Sequence, residues 1–174
     1  MKINNKDKNI VLIGFMGSGK TSVGKRLSLV LKREFIDTDD FIEKREGMTI
    51  NEIFKEKGEE EFRKIERELY KRFSTPKKKI IATGGGVIKN SANIANLKKG
   101  GVIVYLKSST EKIAQNLKFD NTRPILQVDD KEAKIRELLA QREPFYNKYA
   151  EITIDVSNYD IDHTVDKIIE LAKV

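Results

Sequence analysis

A glycine-rich segment near the N-terminus has the residue types and spacing that bind phosphate groups. Residues 14–21 read GFMGSGKT and match the pattern G-x-x-x-x-G-K-[ST]. In such a loop the backbone N–H groups surround phosphate oxygens, and the following helix adds the positive end of its dipole. Lys20 would reach the β- and γ-phosphates of ATP, and the Thr21 hydroxyl would be a ligand of Mg²⁺. The segment predicts an ATP site formed by Gly17, Ser18, Gly19, Lys20, Thr21 and Ser22.

Two aspartates, Asp37 and Asp39, follow a short apolar stretch, where a second strand would end. Ligands of open α/β sheets bind at the carboxyl ends of parallel strands. The two carboxylates could instead cap the next helix, because Asp is common in strand-end turns. Beside a phosphate-binding loop we favour contact with metal and substrate. The apolar stretch at 80–83 ends without the aspartate that holds Mg²⁺ in many proteins with this loop.

Three consecutive glycines, Gly84, Gly85 and Gly86, follow that third apolar stretch. Because they have no side chains, a ligand can approach their backbone N–H groups closely. A plain loop would be unusually rich in glycine here. The segment is therefore predicted to line the ligand site.

The apolar pattern predicts the elements that position these residues. Short apolar stretches predict buried parallel strands at residues 9–13, 35–36, 80–83, 102–106 and 152–156. Helical spacing and capping residues predict helices starting at Thr21, at 40–46, 49–57, 59–73, 93–98 and 109–117, through 135–139, and at the C-terminal end. Thr49 with Glu52 and Ser108 with Glu111 are predicted capping boxes. Alternating strands and helices predict an α/β fold with a parallel sheet in a single domain, residues 1–174.

Composition narrows the class of protein. The chain has 174 residues, no Cys and one His, so disulfides, thiolate metal sites and His clusters are excluded. The net charge of +7 favours anionic partners, although Lys and Arg are scattered among Asp and Glu. Residues 1–9 are polar, and no stretch approaches a membrane span, which predicts a cytoplasmic protein.

Six segments, in their order and spacing, resemble the shikimate kinase family over nearly the whole chain. They are residues 14–21, 37–39, Phe62-Arg63 with Glu66, 83–86, 123–126, and Arg142 with Pro144 and Tyr146. The resemblance implies a P-loop, nucleoside-monophosphate-kinase-like fold, with a five-stranded parallel sheet in the order 2-3-1-4-5 flanked by helices. It also implies transfer of the γ-phosphate of ATP to a hydroxyl of shikimate, giving shikimate 3-phosphate on the route to chorismate and the aromatic amino acids.

The resemblance further implies roles in binding shikimate. Asp39 would accept hydrogen bonds from its hydroxyls, while Arg63 and Arg142 would bind its carboxylate through charge-assisted hydrogen bonds. Gly85, between Gly84 and Gly86, would donate a backbone N–H to the substrate. These residues would lie around a substrate-binding region at about 37–73.

The remaining implied roles concern the binding of ATP and the closure of a lid over it. A mobile lid would span about residues 118–129, and its Arg123 would close over the phosphates and stabilise the transition state. Asp37 would sit near Mg²⁺ through water or orient the attacking hydroxyl. Asn116 stands where the family often has Arg, and Tyr159 also departs from the usual pattern. Lys118 or the Tyr159 ring would then contact adenine.

Two alternatives remain open. Another small-metabolite kinase of this fold, such as gluconate kinase, would share the phosphate-binding loop without needing Arg63, Arg142 and three glycines. A nucleotide-regulated module could bind nucleic acid, but no basic stripe interleaved with aromatics and no recognition-helix signature is present. We therefore expect ATP and shikimate as partners, Mg²⁺ as cofactor, and a monomer that binds neither nucleic acid nor membrane.

Overall fold

A five-stranded parallel sheet forms the centre of the computed structural model, which describes residues 5–174; residues 1–4 of the polar N-terminal stretch lie outside the described residues. The strands are β1 (Asn9–Ile13), β2 (Phe35–Asp37), β3 (Ile80–Ala82), β4 (Gly101–Lys107) and β5 (Ile152–Asp155). They lie in the order β2-β3-β1-β4-β5, with parallel pairing throughout. The α/β fold and the strand order are confirmed.

Helices cover both faces of this sheet. Over the described residues they are α1 (Lys20–Leu31), α2 (Thr38–Glu46), α3 (Ile50–Arg72), α4 (Ser91–Gly100), α5 (Thr110–Asn116), α6 (Lys131–Tyr149) and α7 (Ile161–Ala172). Residues of β1 alternate between two apolar cores: Val11 and Ile13 pack with α3, α4 and α6, while Ile10 and Leu12 pack with α1 and α7. None of the helices within residues 5–174 is long and apolar enough to cross a membrane.

The helix that follows β2 begins earlier than the apolar pattern predicts. Its cap is Asp37, whose carboxylate accepts hydrogen bonds from the backbone N–H groups of Asp39 and Asp40 at 3.1 and 3.2 Å. Because this cap lies at the last residue of β2, helix α2 starts directly at Thr38 with no intervening loop. Asp37 and Asp39 are thereby held at the carboxyl edge of the sheet.

Helix α3 consists of two helical pieces joined at Gly58, where the backbone has φ 85° and ψ 165°. The two helices predicted at 49–57 and 59–73 are therefore present, with a kink at Gly58 between them. The Thr49/Glu52 capping box is confirmed. The kink sets the direction of the second piece, which carries Arg63 and Glu66.

Two further predictions of helix ends are corrected. The Ser108/Glu111 capping box is wrong, because the Ser109 hydroxyl caps α5 by accepting from the Lys112 N–H at 3.2 Å. Two adjacent serines made the sequence pattern ambiguous. Helix α6 extends well beyond residues 135–139 and continues through the exposed Pro144 to Tyr149. This extension brings Arg142 and Tyr146 to the carboxyl edge of the sheet.

Candidate active site

The phosphate-binding loop lies between β1 and α1. Its last residue before the helix, Gly19, has φ 91°, a conformation that favours glycine, and it leaves the first N–H groups of α1 free to bind an anion. The Ser18 hydroxyl is buried and finds no hydrogen-bond partner among the described residues. A phosphate oxygen would satisfy it, so the loop fits a phosphate group.

Lys20 is folded back onto this loop. Its Nζ donates hydrogen bonds to the carbonyl oxygens of Gly14 at 2.7 Å and Phe15 at 2.9 Å. Burial, followed by the positive charge of Arg123, lowers the pKa of Lys20 to about 8, although Asp39 and Asp37 act in the opposite direction. Since its direct partners are neutral carbonyls, the phosphates of a bound nucleotide would supply the missing negative charge.

Thr21 and Asp37 come together across the end of β2. The Thr21 Oγ1 donates to Asp37 Oδ2 at 2.8 Å, while Asp37 Oδ1 caps α2. A hydroxyl and a carboxylate oxygen are the hard ligands that Mg²⁺ prefers. Within residues 5–174 no group of three or more His, Asp or Glu side chains could hold a metal. The two oxygens therefore suit an ion that takes its other ligands from phosphate and water.

The three glycines after β3 form a floor beneath three charged side chains. A methyl group added to each glycine would meet one of them: Asp39 at Gly84, Arg142 at Gly85 and Arg63 at Gly86. The closest approaches would be 2.9, 3.4 and 2.9 Å in that order. The glycines thus bring one carboxylate and two guanidinium groups to one stretch of backbone.

Asp39 lies in a crowded electrostatic environment. Burial, followed by the negative charges of Asp37 and Glu66, raises the pKa of Asp39 to about 6, although Lys20 and Arg123 act in the opposite direction. The carboxylate is therefore ionised at neutral pH and changes charge in the mildly acidic range. It can accept hydrogen bonds from hydroxyl groups when ionised.

Arg63 is oriented by contacts on several sides. Its Nη1 donates to Oε2 of the buried Glu66 at 2.7 Å, and its guanidinium lies 5.1 Å from the centroid of the Phe62 ring. Its Nε and Nη2 also lie 3.5 Å from Oε1 of Glu59, so a second carboxylate helps to orient the guanidinium. Burial raises the pKa of Glu66, and the charge of Arg63 opposes that effect. The predicted roles did not include Glu66, although its i,i+3 spacing from Arg63 could have indicated the pair.

Arg142 is held by aromatic side chains instead of carboxylates. Its guanidinium lies 5.4 Å from the centroid of the Phe15 ring, and the ion pairs of residues 5–174 do not include it. The hydroxyl of Tyr146, one helical turn away on α6, donates to the Gly85 carbonyl at 2.9 Å. Phe15 and Tyr146 thus help to place Arg142 and Gly85, roles that the sequence did not reveal.

Arg123 lies in the predicted lid but is paired within it. Its Nε donates to Asp120 Oδ2 at 3.3 Å, and its positive charge is close enough to Lys20 and Asp39 to lower the pKa of both. The lid also has more contacts than its polar sequence suggested. The Asn51 amide donates to the Thr122 carbonyl at 3.0 Å, and Leu126 is buried within a short 3-10 turn, Pro124–Leu126.

A cavity of about 910 Å³ opens beside the phosphate-binding loop, next to α7. Gly17, Ser18, Gly19, Ser22, Asn116 and Tyr159 are among the residues that line it. The Tyr159 ring stacks on His163, with centroids 4.4 Å apart and planes 9° apart. Lys118 is not among the residues that line this cavity, and its ammonium lies 5.5 Å from the centroid of Phe119, whereas Tyr159 and the basic residues Arg26 and Lys112 do line it.

The sequence model of the family described as shikimate kinase matches residues 16–173. The chain belongs to the shikimate kinase family. The shikimate kinase of Caldanaerobacter subterraneus subsp. tengcongensis is 50% identical over 162 residues, which cover 93% of this chain and 94% of that relative. A solved shikimate kinase from Acinetobacter baumannii in complex with shikimate is 39% identical, with a TM-score of 0.89, covering 98% of this chain and 95% of that one. As a shikimate kinase family member, this chain is an ATP-dependent kinase with a P-loop.

The likeness to gluconate kinases is limited to the fold. A gluconokinase from Sinorhizobium meliloti has a TM-score of 0.55 at 15% identity, covering 97% of this chain and 95% of that one. Membership of the shikimate kinase family therefore favours shikimate over gluconate as the acceptor. It also argues against a nucleotide-regulated module without kinase activity.

Proposed function

We propose that this protein transfers the γ-phosphate of ATP to the 3-hydroxyl of shikimate, giving shikimate 3-phosphate, with Mg²⁺ as cofactor. One observation carries the proposal: Asp39, Arg63 and Arg142 converge on the glycines after β3, beside the phosphate-binding loop. Two guanidinium groups can bind the carboxylate of a ligand, and one carboxylate can accept hydrogen bonds from its hydroxyl groups. The site therefore suits an acid with several hydroxyl groups. The arrangement thus supports both the acceptor and its placement next to ATP.

The proposal is tested by measuring ADP release by the purified protein with ATP and Mg²⁺, with and without shikimate. Gluconate is the matched control, since it also combines a carboxylate with hydroxyl groups. We expect ADP release that depends on shikimate and does not respond to gluconate. Turnover unchanged by shikimate would contradict the proposal, and turnover with gluconate would favour the alternative kinase.

The residues of the phosphate-binding loop would hold ATP. We assign the phosphates to Gly17, Ser18, Gly19, Lys20, Thr21 and Ser22, and the adenine to the cavity lined by Tyr159. Two observations support this assignment. The buried Ser18 hydroxyl has no hydrogen-bond partner among the described residues, and Lys20 Nζ donates two hydrogen bonds to carbonyls of the loop. Replacement of those carbonyl partners by phosphate oxygens would bring Lys20 to the group that is transferred.

Thr21 and Asp37 would hold Mg²⁺, Asp37 directly or through water. When bound, the ion would neutralise negative charge on the β- and γ-phosphates. The 2.8 Å contact between the two side chains and the capping role of Asp37 support a preformed pair of ligands. Asp37 would also lie where it could orient the attacking hydroxyl.

Shikimate would lie over the glycines, with Arg63 and Arg142 on its carboxylate and Asp39 on its hydroxyls, and with the N–H of Gly85 as a further donor. The attacking hydroxyl oxygen forms a bond to the γ-phosphorus as the bond to the bridging β–γ oxygen breaks, and the hydroxyl proton passes to solvent water. The bridging oxygen stays on the β-phosphate and leaves with ADP. Lys20 and Arg123 would stabilise the charge on the transferring group.

Shikimate binding should depend on the ionisation of Asp39. Because burial raises the pKa of Asp39 to about 6, kcat/KM for shikimate should fall as the pH drops through about 6. The carboxylate is ionised above that value, and its protonated form loses acceptor capacity. A pH profile of kcat/KM checks this. Asp39→Asn should remove this acid limb, whereas Asp40→Asn on the exposed neighbour should keep it; a limb that persists in Asp39→Asn assigns it to another group.

The lid should resist trypsin only when both ligands are bound. Lys118 is exposed at its start, and Arg123 precedes proline and resists cleavage. Closing the lid would move Arg123 from Asp120 to the phosphates and exclude water. A nonhydrolysable ATP analogue with shikimate should therefore slow the cut after Lys118, and shikimate alone should protect less.

Mass spectrometry of the fragments identifies that cut, and Lys118→Gln, which removes it, is the matched control. Asn51→Ala, which releases the contact with Thr122, should speed the cut in the unliganded protein. Equal cleavage rates without ligands and with both ligands would show that residues 118–129 do not close.

We further propose a single kinase domain at residues 1–174, with a substrate-binding region at about 37–73, that acts as a monomer in the cytoplasm. All assigned site residues come from one chain, and the cytoplasm supplies ATP. Basic residues lie in scattered pairs with acids, such as Lys44 with Asp40 and Arg136 with Glu132, which supports the absence of a nucleic-acid or membrane partner.

A further inference from the structure

The phosphate-binding loop is tied at one glycine to the end of helix α5. Asn116, the last residue of α5, donates from its side-chain Nδ2 to the Gly17 carbonyl at 2.8 Å. The next residue, Leu117, lies against the same glycine, because a methyl group added to Gly17 would come within 2.7 Å of Leu117 Cγ. Two neighbouring residues at the base of the proposed lid thus contact the loop that would hold the phosphates of ATP.

The end of α5 is itself held firmly in place. Ile113 and Leu117 are both buried in the apolar core. Lys131, the first residue of α6, donates from Nζ to the carbonyl oxygens of Leu117 and of Asp120, the latter at 2.9 Å. An ammonium in this position also opposes the negative end of the α5 dipole. Asn116 therefore ties the glycine-rich loop to a fixed support.

The loop needs such a support most when ATP is bound. Two side-chain hydrogen bonds to its backbone carbonyls come from Lys20, which donates to Gly14 and Phe15. Under the proposed function, Lys20 exchanges these carbonyl partners for phosphate oxygens. The bond from Asn116 to Gly17 involves neither Lys20 nor its partners, so it would stay in place when the site is filled.

The same bond fixes which way the peptide between Gly17 and Ser18 faces. In a trans peptide the C=O and the N–H point in opposite directions. While Asn116 holds the Gly17 carbonyl, the Ser18 N–H points back into the loop, where it donates to the Phe15 carbonyl at 3.1 Å. Gly17 has φ 75°, and because glycine enters and leaves this region easily, it does not by itself prevent the peptide from turning over. A turned peptide would present its oxygen to the phosphates instead of its N–H.

We propose that Asn116 is a positioning residue for ATP, whose bond to Gly17 keeps the loop in the conformation that binds phosphate; the inference rests on the proposed ATP site. This role differs from a contact with adenine, which the family resemblance implies for the Arg that often stands at this position. Asn116 also lines the cavity beside the loop, so a contact with the base is the alternative that the experiment must separate. The bond to Gly17 favours the loop, because the amide N–H₂ group is already engaged there.

Asn116→Leu is the direct test in the full-length protein, because leucine is similar in size and has no donor. We expect KM for ATP and the inhibition constant of inorganic tripolyphosphate, measured against ATP, to rise together by roughly threefold to tenfold, the effect of one neutral hydrogen bond. KM for shikimate should stay unchanged, and kcat should stay within about twofold. Adenosine, which has the base and no phosphate, should inhibit both proteins equally. Asn116→Gln keeps the amide donor at an exposed position and should restore most of the affinity, while Gln115→Leu, on the exposed neighbour, is the matched control and should change none of these values.

Amide hydrogen exchange without ligands separates a positioning role from a direct contact with ATP. Ser18 is 3% exposed, and its N–H is bonded to the Phe15 carbonyl, so this N–H should exchange slowly in the unchanged protein. Asn116→Leu should speed its exchange, because the peptide is then free to turn over. Loss of a contact made only with bound ATP would leave the exchange unchanged. Unchanged exchange together with weaker ATP binding would therefore overturn the proposal.

The remaining outcomes separate this proposal from the proposed function. If tripolyphosphate competes with ATP equally well in the unchanged protein and in Asn116→Leu, the ATP site stands and the positioning role of Asn116 is wrong. If Asn116→Leu weakens inhibition by adenosine and not by tripolyphosphate, Asn116 contacts the base, which also overturns the role. If both KM values rise together with a lower melting temperature, the side chain serves stability alone, and the role is again wrong. If tripolyphosphate does not compete with ATP even in the unchanged protein, the proposed phosphate site itself fails.

Discussion

Lys20→Met should lower kcat by on the order of a hundredfold or more while the protein stays folded. Among residues 5–174 the Lys20 ammonium hydrogen bonds only to the Gly14 and Phe15 carbonyls of its own loop, so its loss removes no ion pair found there. Its charge is placed to act on the γ-phosphate, where negative charge develops during transfer. Methionine keeps much of the length of the side chain, so the loop can retain its shape.

Steady-state kinetics with saturating ATP and shikimate measure this loss, and circular dichroism reports the fold. Lys25→Met is the matched control, since Lys25 lies exposed on the same helix and its loss should leave kcat unchanged. Activity retained in Lys20→Met with a normal spectrum would refute the assigned role. A low kcat with an altered spectrum would be damage to the fold instead.

The phosphate-binding loop illustrates what the sequence can predict. Its residues are adjacent in the chain, and the buried strand and the helix on either side are local patterns. The apolar run of β1 and the helix after Lys20 both occur where expected. Local patterns fail where two neighbouring residues could fill the same position. Ser108 and Ser109 are equally good N-cap residues by sequence, and only the backbone geometry shows that Ser109 is the cap. Errors of this kind move helix ends by a residue or two and leave the topology unchanged.

The substrate side of the site could be derived only in part from local patterns. Asp39 and Gly85 were assigned to the ligand site from their positions after strands, but Arg63 and Arg142 lie far away in sequence, and only the family resemblance grouped them with the site before the structure did. The contact of the buried Tyr70 hydroxyl with Thr38 was not anticipated either. A tyrosine on the apolar face of a helix fits the core pattern, and its hydroxyl gains meaning only when Thr38 and Gly84 are brought to it by the sheet.

The lid falls between these cases. The family resemblance predicts a lid at residues 118–129, but it gives no account of what holds this segment in place. The i,i+3 spacing of Asp120 and Arg123 could have indicated their ion pair, whereas the contact from Asn51 to Thr122 crosses from α3 and is visible only in three dimensions. That contact joins the proposed lid to the proposed substrate-binding region, so we expect opening of one to affect the other.

Arg63→Ala and Arg142→Ala should each weaken shikimate binding by about 2 kcal/mol or more, roughly thirtyfold in Kd, through loss of a charge-assisted pairing. ATP affinity should change little, because the phosphate-binding loop is formed by other residues. Isothermal titration with each ligand measures both effects. If both ligands were weakened equally, the substitution would have damaged the fold and the assignment would fail.

The two variants should differ in stability, and this difference makes the binding data interpretable. Arg63→Ala leaves the carboxylate of Glu66, which is 2% exposed, without its ion-pair partner, so the melting temperature should fall. Arg142 packs on the Phe15 ring and holds no carboxylate, so Arg142→Ala should be milder. The control is Arg63→Ala/Glu66→Gln, which removes the buried charge as well. It should recover much of the stability but none of the shikimate affinity, because the guanidinium itself binds the substrate. Recovery of affinity along with stability would mean that Arg63 acts on the fold and not on the ligand.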